Sequence, residues 1–116
     1  MPERMRRVNE SLREVLSESV GSLKDPRIGF VTVTGVKATT DLERATVYVS
    51  VLGSEQARLD TLAGLESARG LLQAQVNRQL HLRRTPLLTF EYDPTPERGV
   101  RLTQLIDRLA PDESSE

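Results

Sequence analysis

Cysteine is absent from the 116-residue chain, which excludes disulfides, thiolate metal sites and cysteine nucleophiles. Tryptophan is absent as well, and the aromatic residues are only Phe30, Tyr48, Phe90 and Tyr92. The core must therefore be aliphatic. His81 is the single histidine. A zinc site here would need three carboxylates or solvent ligands, far from the usual donor set. No apolar run approaches the roughly 20 residues of a membrane span. Met1 to Arg13 is charged where a signal peptide would be apolar. G-x-S-x-G, P-loop and G-x-G-x-x-G patterns are missing. Carboxylates are plentiful, but Glu10, Glu14 and Glu18 recur at i+4 steps as a solvated helix face, and Asp25 and Asp41 stand beside turns. The expectation is one soluble, cytoplasmic, non-enzymatic domain with no catalytic residues, no metal and no cofactor.

The formal net charge of −1 conceals an uneven distribution. Residues 111–116 carry −3 and no base, whereas residues 1–110 carry +2. The first 110 residues are expected to form the single domain, and the last six a short acidic disordered tail. Lys24 and Lys37 are the only lysines, so fourteen of the sixteen basic residues are arginine. Arginine suits bidentate phosphate contacts; the codon usage of a GC-rich genome gives the same ratio. From Ser67 to Phe90 there is no acidic residue, yet Arg69, Arg78, Arg83 and Arg84 all fall there. A field of one sign is what a polyanionic partner needs.

Apolar spacing predicts the elements. Met5, Val8, Leu12, Val15, Leu16, Val20 and Leu23 recur at helical intervals over 4–23, and Lys24-Asp25-Pro26 stops them. Ile28 to Thr39 is a β-branched strand in which Gly35 breaks phase, so a bulge there would return Val36 and Ala38 to the face of Val31 and Val33. Ala45, Val47, Val49 and Val51 alternate in a second, antiparallel strand. Ser54 caps a second helix with Ala57, Leu59, Leu62, Ala63 and Leu65, reaching about Ala68. Gly70 interrupts, and a third helix buries Leu72, Val76 and Leu80. Leu88, Phe90 and Tyr92 form a third strand, and Val100 to Leu109 a last short helix. Helices covering one face of a small sheet give an α+β sandwich.

On the third helix, Ala74, Asn77, Arg78 and His81 share the face opposite the apolar stripe, with no acid among them. Arg83 and Arg84 come after its end, with no local acid to neutralise them. Arg69 and Gly70 stand at its start, where a helix N-terminus favours a phosphate and glycine permits close approach. A plain helix break explains Gly70 equally well. The first helix adds Arg4, Arg6, Arg7 and Arg13, but Glu10 lies within ion-pair reach of Arg6 and Arg13. Phe30, Phe90 and Tyr92 read as core or sheet residues, leaving few stacking platforms. A binder of RNA backbone and shape fits better than a reader of splayed bases.

Several short segments, in order, resemble one family. They are Arg7-Val8, Lys24-Asp25-Pro26-Arg27, Val31-Thr32-Val33-Thr34, Thr40-Asp41-Leu42, Ala45 to Ser50, Ser67-Ala68-Arg69-Gly70 and Leu82-Arg83-Arg84-Thr85-Pro86 leading into Leu88-Thr89-Phe90. Over residues 4–108 the chain resembles the ribosome-binding factor A family of bacterial small-subunit assembly factors. The resemblance implies a type II KH-like fold in the order α-β-β-α-α-β, with a three-stranded sheet, helices on one face and a kink at Ala68 and Gly70 replacing the G-x-x-G loop. It implies a monomer that binds the 30S subunit and its 16S rRNA, assists late rRNA maturation, is linked to growth in the cold, and is not an enzyme. Ribosomal proteins and an assembly GTPase are further candidate partners. Arg6, Arg7, Arg69, Gly70, Asn77, Arg78, Arg83 and Arg84 are the expected RNA contacts. Gln73 stands where many members carry arginine, and Leu87 where an acid is common. A KH-like regulator of messenger or small RNA, or a protein–protein adaptor, are the alternatives.

Overall fold

The computed structural model describes residues 3–95. The expected helix near 100–109 and the acidic tail lie outside the described residues. Within them the order is α1 (Glu3–Gly21), β1 (Phe30–Ala38), β2 (Arg44–Leu52), α2 (Glu55–Ser67), α3 (Arg69–Gln79) and β3 (Leu87–Tyr92). This is the α-β-β-α-α-β order of a type II KH-like fold. The sheet runs β1-β2-β3, with β1 antiparallel and β3 parallel to β2. A parallel neighbour needs a long crossover, and α2 and α3 supply it.

One sheet face is apolar and covered by the helices. Val33, Val36 and Ala38 of β1, Ala45, Val47, Val49 and Val51 of β2, and Leu88 and Phe90 of β3 are buried there. Met5, Leu12, Val15, Leu16 and Val20 of α1, Leu65 of α2, and Leu72 and Val76 of α3 complete the core. The register of β1 against β2 shifts between Val33 and Gly35, and this bulge keeps Val36 in phase with Val33. Without it the second half of β1 would turn its valine to water, because strand side chains alternate faces.

The other face is open. Phe30 and Leu52 are paired across β1 and β2 and are 81% and 75% exposed. Phe30 is thus a sheet residue on the bare side, Phe90 is core, and Tyr92 lies half-buried with the Arg58 guanidinium 4.6 Å from its ring centroid.

Ser54 caps α2 as expected, its hydroxyl accepting from the Ala57 N–H at 3.1 Å. The apolar residues of α2 do not all face the core. Leu59 is 55% exposed and Ala63 is exposed, while Thr61, Gly64 and Leu65 are buried. The cause is tertiary. The Asp25-to-Ile28 turn, closed by Ile28 N–H to Asp25 O at 3.0 Å, docks on this helix. Thr61 accepts from the Gly29 N–H at 3.3 Å and donates to Arg27 O at 3.4 Å. A Cβ at position 64 would stand 2.6 Å from Ile28 Cγ1, so only glycine admits this approach.

Ala68 alone separates α2 from α3, at φ −88° and ψ 3°. Its N–H reaches Gly64 O and Leu65 O, both at 3.1 Å, and its carbonyl accepts from Leu72 N–H at 2.9 Å. The helices therefore meet at a one-residue break with no loop. At its far end α3 stops earlier than its periodicity suggests. Leu80 is extended, at φ −117° and ψ 123°, so His81 lies beyond the helix rather than on its exposed face. The chain there alternates: Leu80 and Leu82 are half-buried, and His81 and Arg83 are exposed. Leu80 fits both the four-residue step from Val76 and the two-residue step to Leu82, so spacing does not say on which side of it the helix ends.

Candidate nucleic-acid interface

α1 packs on α3, so both belong to the helical layer opposite the bare sheet face. The expected contact residues are spread along it, and their ion pairs divide them. On α1, Arg6 Nη2 sits 2.5 Å from Glu3 Oε1, and Arg7 Nε 3.4 Å from the same oxygen. Arg13 Nη2 lies 2.5 Å from Glu10 Oε1. Glu3, then, and not Glu10, is the direct partner of Arg6. The arginine hydrogen bonds hold the Glu3 and Glu10 carboxyls below the usual carboxylate range.

On α3 the picture is mixed. Arg78 is exposed and has no ion-pair partner among the described residues. Arg83, in the α3–β3 loop, is in the same state. Arg69 is not: it pairs with Glu66, one turn back on α2, and its buried Nε has no hydrogen-bond partner. Nor is Arg84, whose Nη1 lies 3.0 Å from Glu43 Oε1. The expectation that nothing nearby neutralises these four arginines therefore holds for Arg78 and Arg83 and fails for Arg69 and Arg84. Glu66 falls just outside the acid-free stretch, and Glu43 comes from the turn between β1 and β2. Gly70 is exposed, with nothing within 4 Å of where a Cβ would be. Close packing does not require glycine there.

Two hydrogen bonds tie α3 to the α3–β3 loop and to β3. Thr85 donates to Asn77 Oδ1 at 3.2 Å, anchoring the loop that carries Arg83 and Arg84. Gln73 Oε1 accepts from the Leu88 N–H at 3.2 Å. β3 is an edge strand, and Leu87 N–H and Asp93 N–H reach across to Glu43 O and Val49 O at 2.9 and 2.7 Å. Leu88 N–H points the other way and needs another acceptor. An arginine at position 73 has no acceptor to offer. Gln73 thus replaces a charge with a structural tie.

The structure also brings together residues far apart in sequence. Arg4 of α1, Thr40, Asp41 and Leu42 of the β1–β2 turn, and Arg83 and Arg84 of the α3–β3 loop line a cleft of about 300 Å³. The turn forming its wall is firmly held. Thr39 N–H reaches Arg44 O and Leu42 N–H reaches Thr39 O, both at 2.9 Å. Asp41 Oδ1 accepts from the Thr39 hydroxyl at 2.6 Å and from the Glu43 N–H at 3.0 Å. These bonds, with the nearby Arg84 charge, lower the Asp41 carboxyl below its ordinary value. Leu42 adopts φ 59°, an uncommon conformation for a leucine, and its side chain is buried in the core. Arg6 and Arg7 are not in this cleft. Arg4 is, although of the α1 arginines only Arg6 and Arg7 were among the expected contacts; no local pattern marks a residue whose arginine companions are some eighty positions away.

Among the described residues no helix is long and apolar enough to cross a membrane, and no cluster of His, Cys, Asp or Glu could hold a metal ion. The family model for ribosome-binding factor A matches residues 4–106. The Geobacter sulfurreducens ribosome-binding factor A is 42% identical over 114 residues, covering 97% of each chain. The crystal structure of ribosome-binding factor A from Thermus thermophilus superposes with a TM-score of 0.69 at 30% identity, over 76% of this chain and 93% of that one. A Thermus thermophilus ribosome binding factor A homology model, fitted into the cryo-EM map of a 30S–RbfA complex, superposes with a TM-score of 0.62 at 30% identity, over 74% and 91% of the two chains. With the order of elements, the sheet topology and the helix break at Ala68 all agreeing, this chain belongs to the ribosome-binding factor A family.

Proposed function

We propose that this protein binds the 30S ribosomal subunit and assists the late maturation of its 16S rRNA in the cytoplasm. It acts by occupancy and without catalysis: it holds a conformation of immature rRNA and then leaves. The relative fitted into a 30S complex supports the choice of partner. The observation that carries the reading is the acid-free stretch of α3 and its loop, where Arg78 and Arg83 stand exposed without carboxylate partners among the described residues. Unpaired guanidiniums are available to phosphates at no cost in broken ion pairs. Arg78 is the leading contact and Arg83 the second. Arg69 and Arg84 would have to exchange a glutamate for a phosphate, and Gly70 and Asn77 contribute an open backbone and an ordered loop.

Co-sedimentation with purified 30S subunits over a series of salt concentrations tests the proposal. The protein is expected to travel with the subunit, with affinity falling steeply as salt rises. A protein that stays at the top of the gradient, or binds without salt dependence, would overturn it.

A further inference from the structure

We infer that the cleft between the start of α1, the β1–β2 turn and the α3–β3 loop seats one RNA backbone phosphate between Arg4 and Arg83. This rests on the RNA-binding reading above and gives it a second place on the surface. The cleft's Arg83 and Arg84 follow the C-terminal end of α3, whereas the Ala68 break stands at its start.

Three arginines from two distant segments line this recess. Like charges held together are unfavourable unless an anion balances them. Two carboxylates offset part of this charge, Asp41 in the lining and Glu43 paired to Arg84, which leaves three guanidiniums against two carboxylates and one positive charge unbalanced. Arg4 and Arg83 have no such partner among the described residues. At about 300 Å³ the recess accommodates a phosphate group and its water. Among the described residues no aromatic side chain lines it, so they offer no stacking platform of the kind a base would use. Its wall is a turn fixed by four hydrogen bonds and by the buried Leu42 side chain, so little ordering is left to be lost on binding.

Two measurements on the full chain test this. In an amide NMR titration with inorganic phosphate, shifts are expected at Thr40 to Glu43 and at Arg83 and Arg84, and they should vanish in Arg4→Gln/Arg83→Gln. Shifts reproduced by chloride at equal ionic strength, or retained in the double variant, overturn the inference. In 30S co-sedimentation the double variant should lower the salt slope by roughly 0.7–0.9, the share of one phosphate. Glu43→Gln, which releases Arg84, should tighten binding instead, and it guards against a double variant that misfolds. If Arg78→Gln weakens binding while both cleft variants leave affinity and slope unchanged, the cleft is not an RNA contact and the RNA-binding reading stands. If the wild-type chain does not co-sediment at all, both fall, whatever the phosphate titration gives.

Discussion

The arginines of α1 and those of α3 and its loop differ less in number than in what they are already holding. Arg6 and Arg7 share Glu3, and Arg13 closes on Glu10, all within one helical turn. Arg78 and Arg83 form no ion pair among the described residues, while Arg69 and Arg84 are bound to glutamates supplied by α2 and by the β1–β2 turn. A basic surface is therefore set by where the acids fall as much as by where the bases fall. Residues three and four apart on a helix are neighbours, so the E-R-M-R-R and E-S-L-R runs of α1 largely cancel themselves. Exposed pairs of this kind are worth about 0–1 kcal/mol. An incoming phosphate can displace the glutamate, but it gains less than it would at a free arginine.

The contrast between the two groups breaks most visibly on charge reversal. Arg78→Glu with Arg83→Glu is expected to lower 30S affinity by about tenfold or more and to reduce the salt slope by roughly one and a half units. Arg6→Glu with Arg7→Glu should cost several-fold less. Both positions on each side are exposed, so melting should show each substitution within about 0.5 kcal/mol of neutral. Equal losses from the two doubles would mean that the pairing to Glu3 counts for nothing in binding.

Position 73 separates charge from structure. Gln73→Ala leaves Leu88 N–H without its acceptor, and a loss of about 1 kcal/mol is expected in denaturant unfolding. Gln73→Arg should lose a similar amount while raising the salt slope, since it adds a cation to the free group and removes the tie to β3. A Gln73→Arg variant as stable as the parent would show that another group takes up the Leu88 N–H.

Much of the fold was legible because it is local. The α1 stripe, the Gly35 bulge, the Ser54 cap and the break at Ala68 are each specified by residues within a few positions of one another. The misreadings share the opposite character. The buried face of α2 was not legible, because helical spacing says nothing of the Arg27–Gly29 segment that claims Thr61 and Gly64. His81 read as helical because Leu80 and Leu82 fit two periods. Within the candidate site, Arg69–Glu66 is an i, i+3 pair visible in sequence once the view extends one residue past the acid-free stretch. Arg84–Glu43 spans 41 positions and has no sequence signature. The gathering of Arg4 with Arg83 comes from α1 packing on α3, a tertiary fact.

Acid sharpens the contrast between the two groups. The carboxyls of Glu3, Glu10, Asp25 and Asp41 all lie below their ordinary values, chiefly through hydrogen bonds from Arg6, Arg13, Arg27 and Thr39 respectively. A carboxyl depressed in the folded state stabilises the fold above its unfolded value, and that contribution is lost as pH falls through the folded one. Melting temperature should thus be level near neutrality and decline below about pH 5. In Glu3→Gln/Glu10→Gln the decline should be shallower, because two of the four groups no longer titrate. An unchanged acid profile would assign the decline to Asp25 and Asp41 alone.

The smallest expected effect is the most discriminating. Glu3→Gln removes the carboxylate that occupies both Arg6 and Arg7 and leaves their side chains in place. Glu3 also lies in the first turn of α1, where a negative charge favours the helix. Stability should therefore fall slightly. Binding should move the other way. Two freed guanidiniums on the helical layer would raise 30S affinity a few-fold and steepen its salt slope, making α1 behave as α3 already does. Glu10→Gln, which frees only Arg13, should give a weaker version of the same change. Should Glu3→Gln leave affinity and slope where they were, self-neutralisation is not what separates the two groups. Their positions on the molecule would separate them instead, and the RNA surface would then be confined to α3, its loop and the cleft that Arg4 completes.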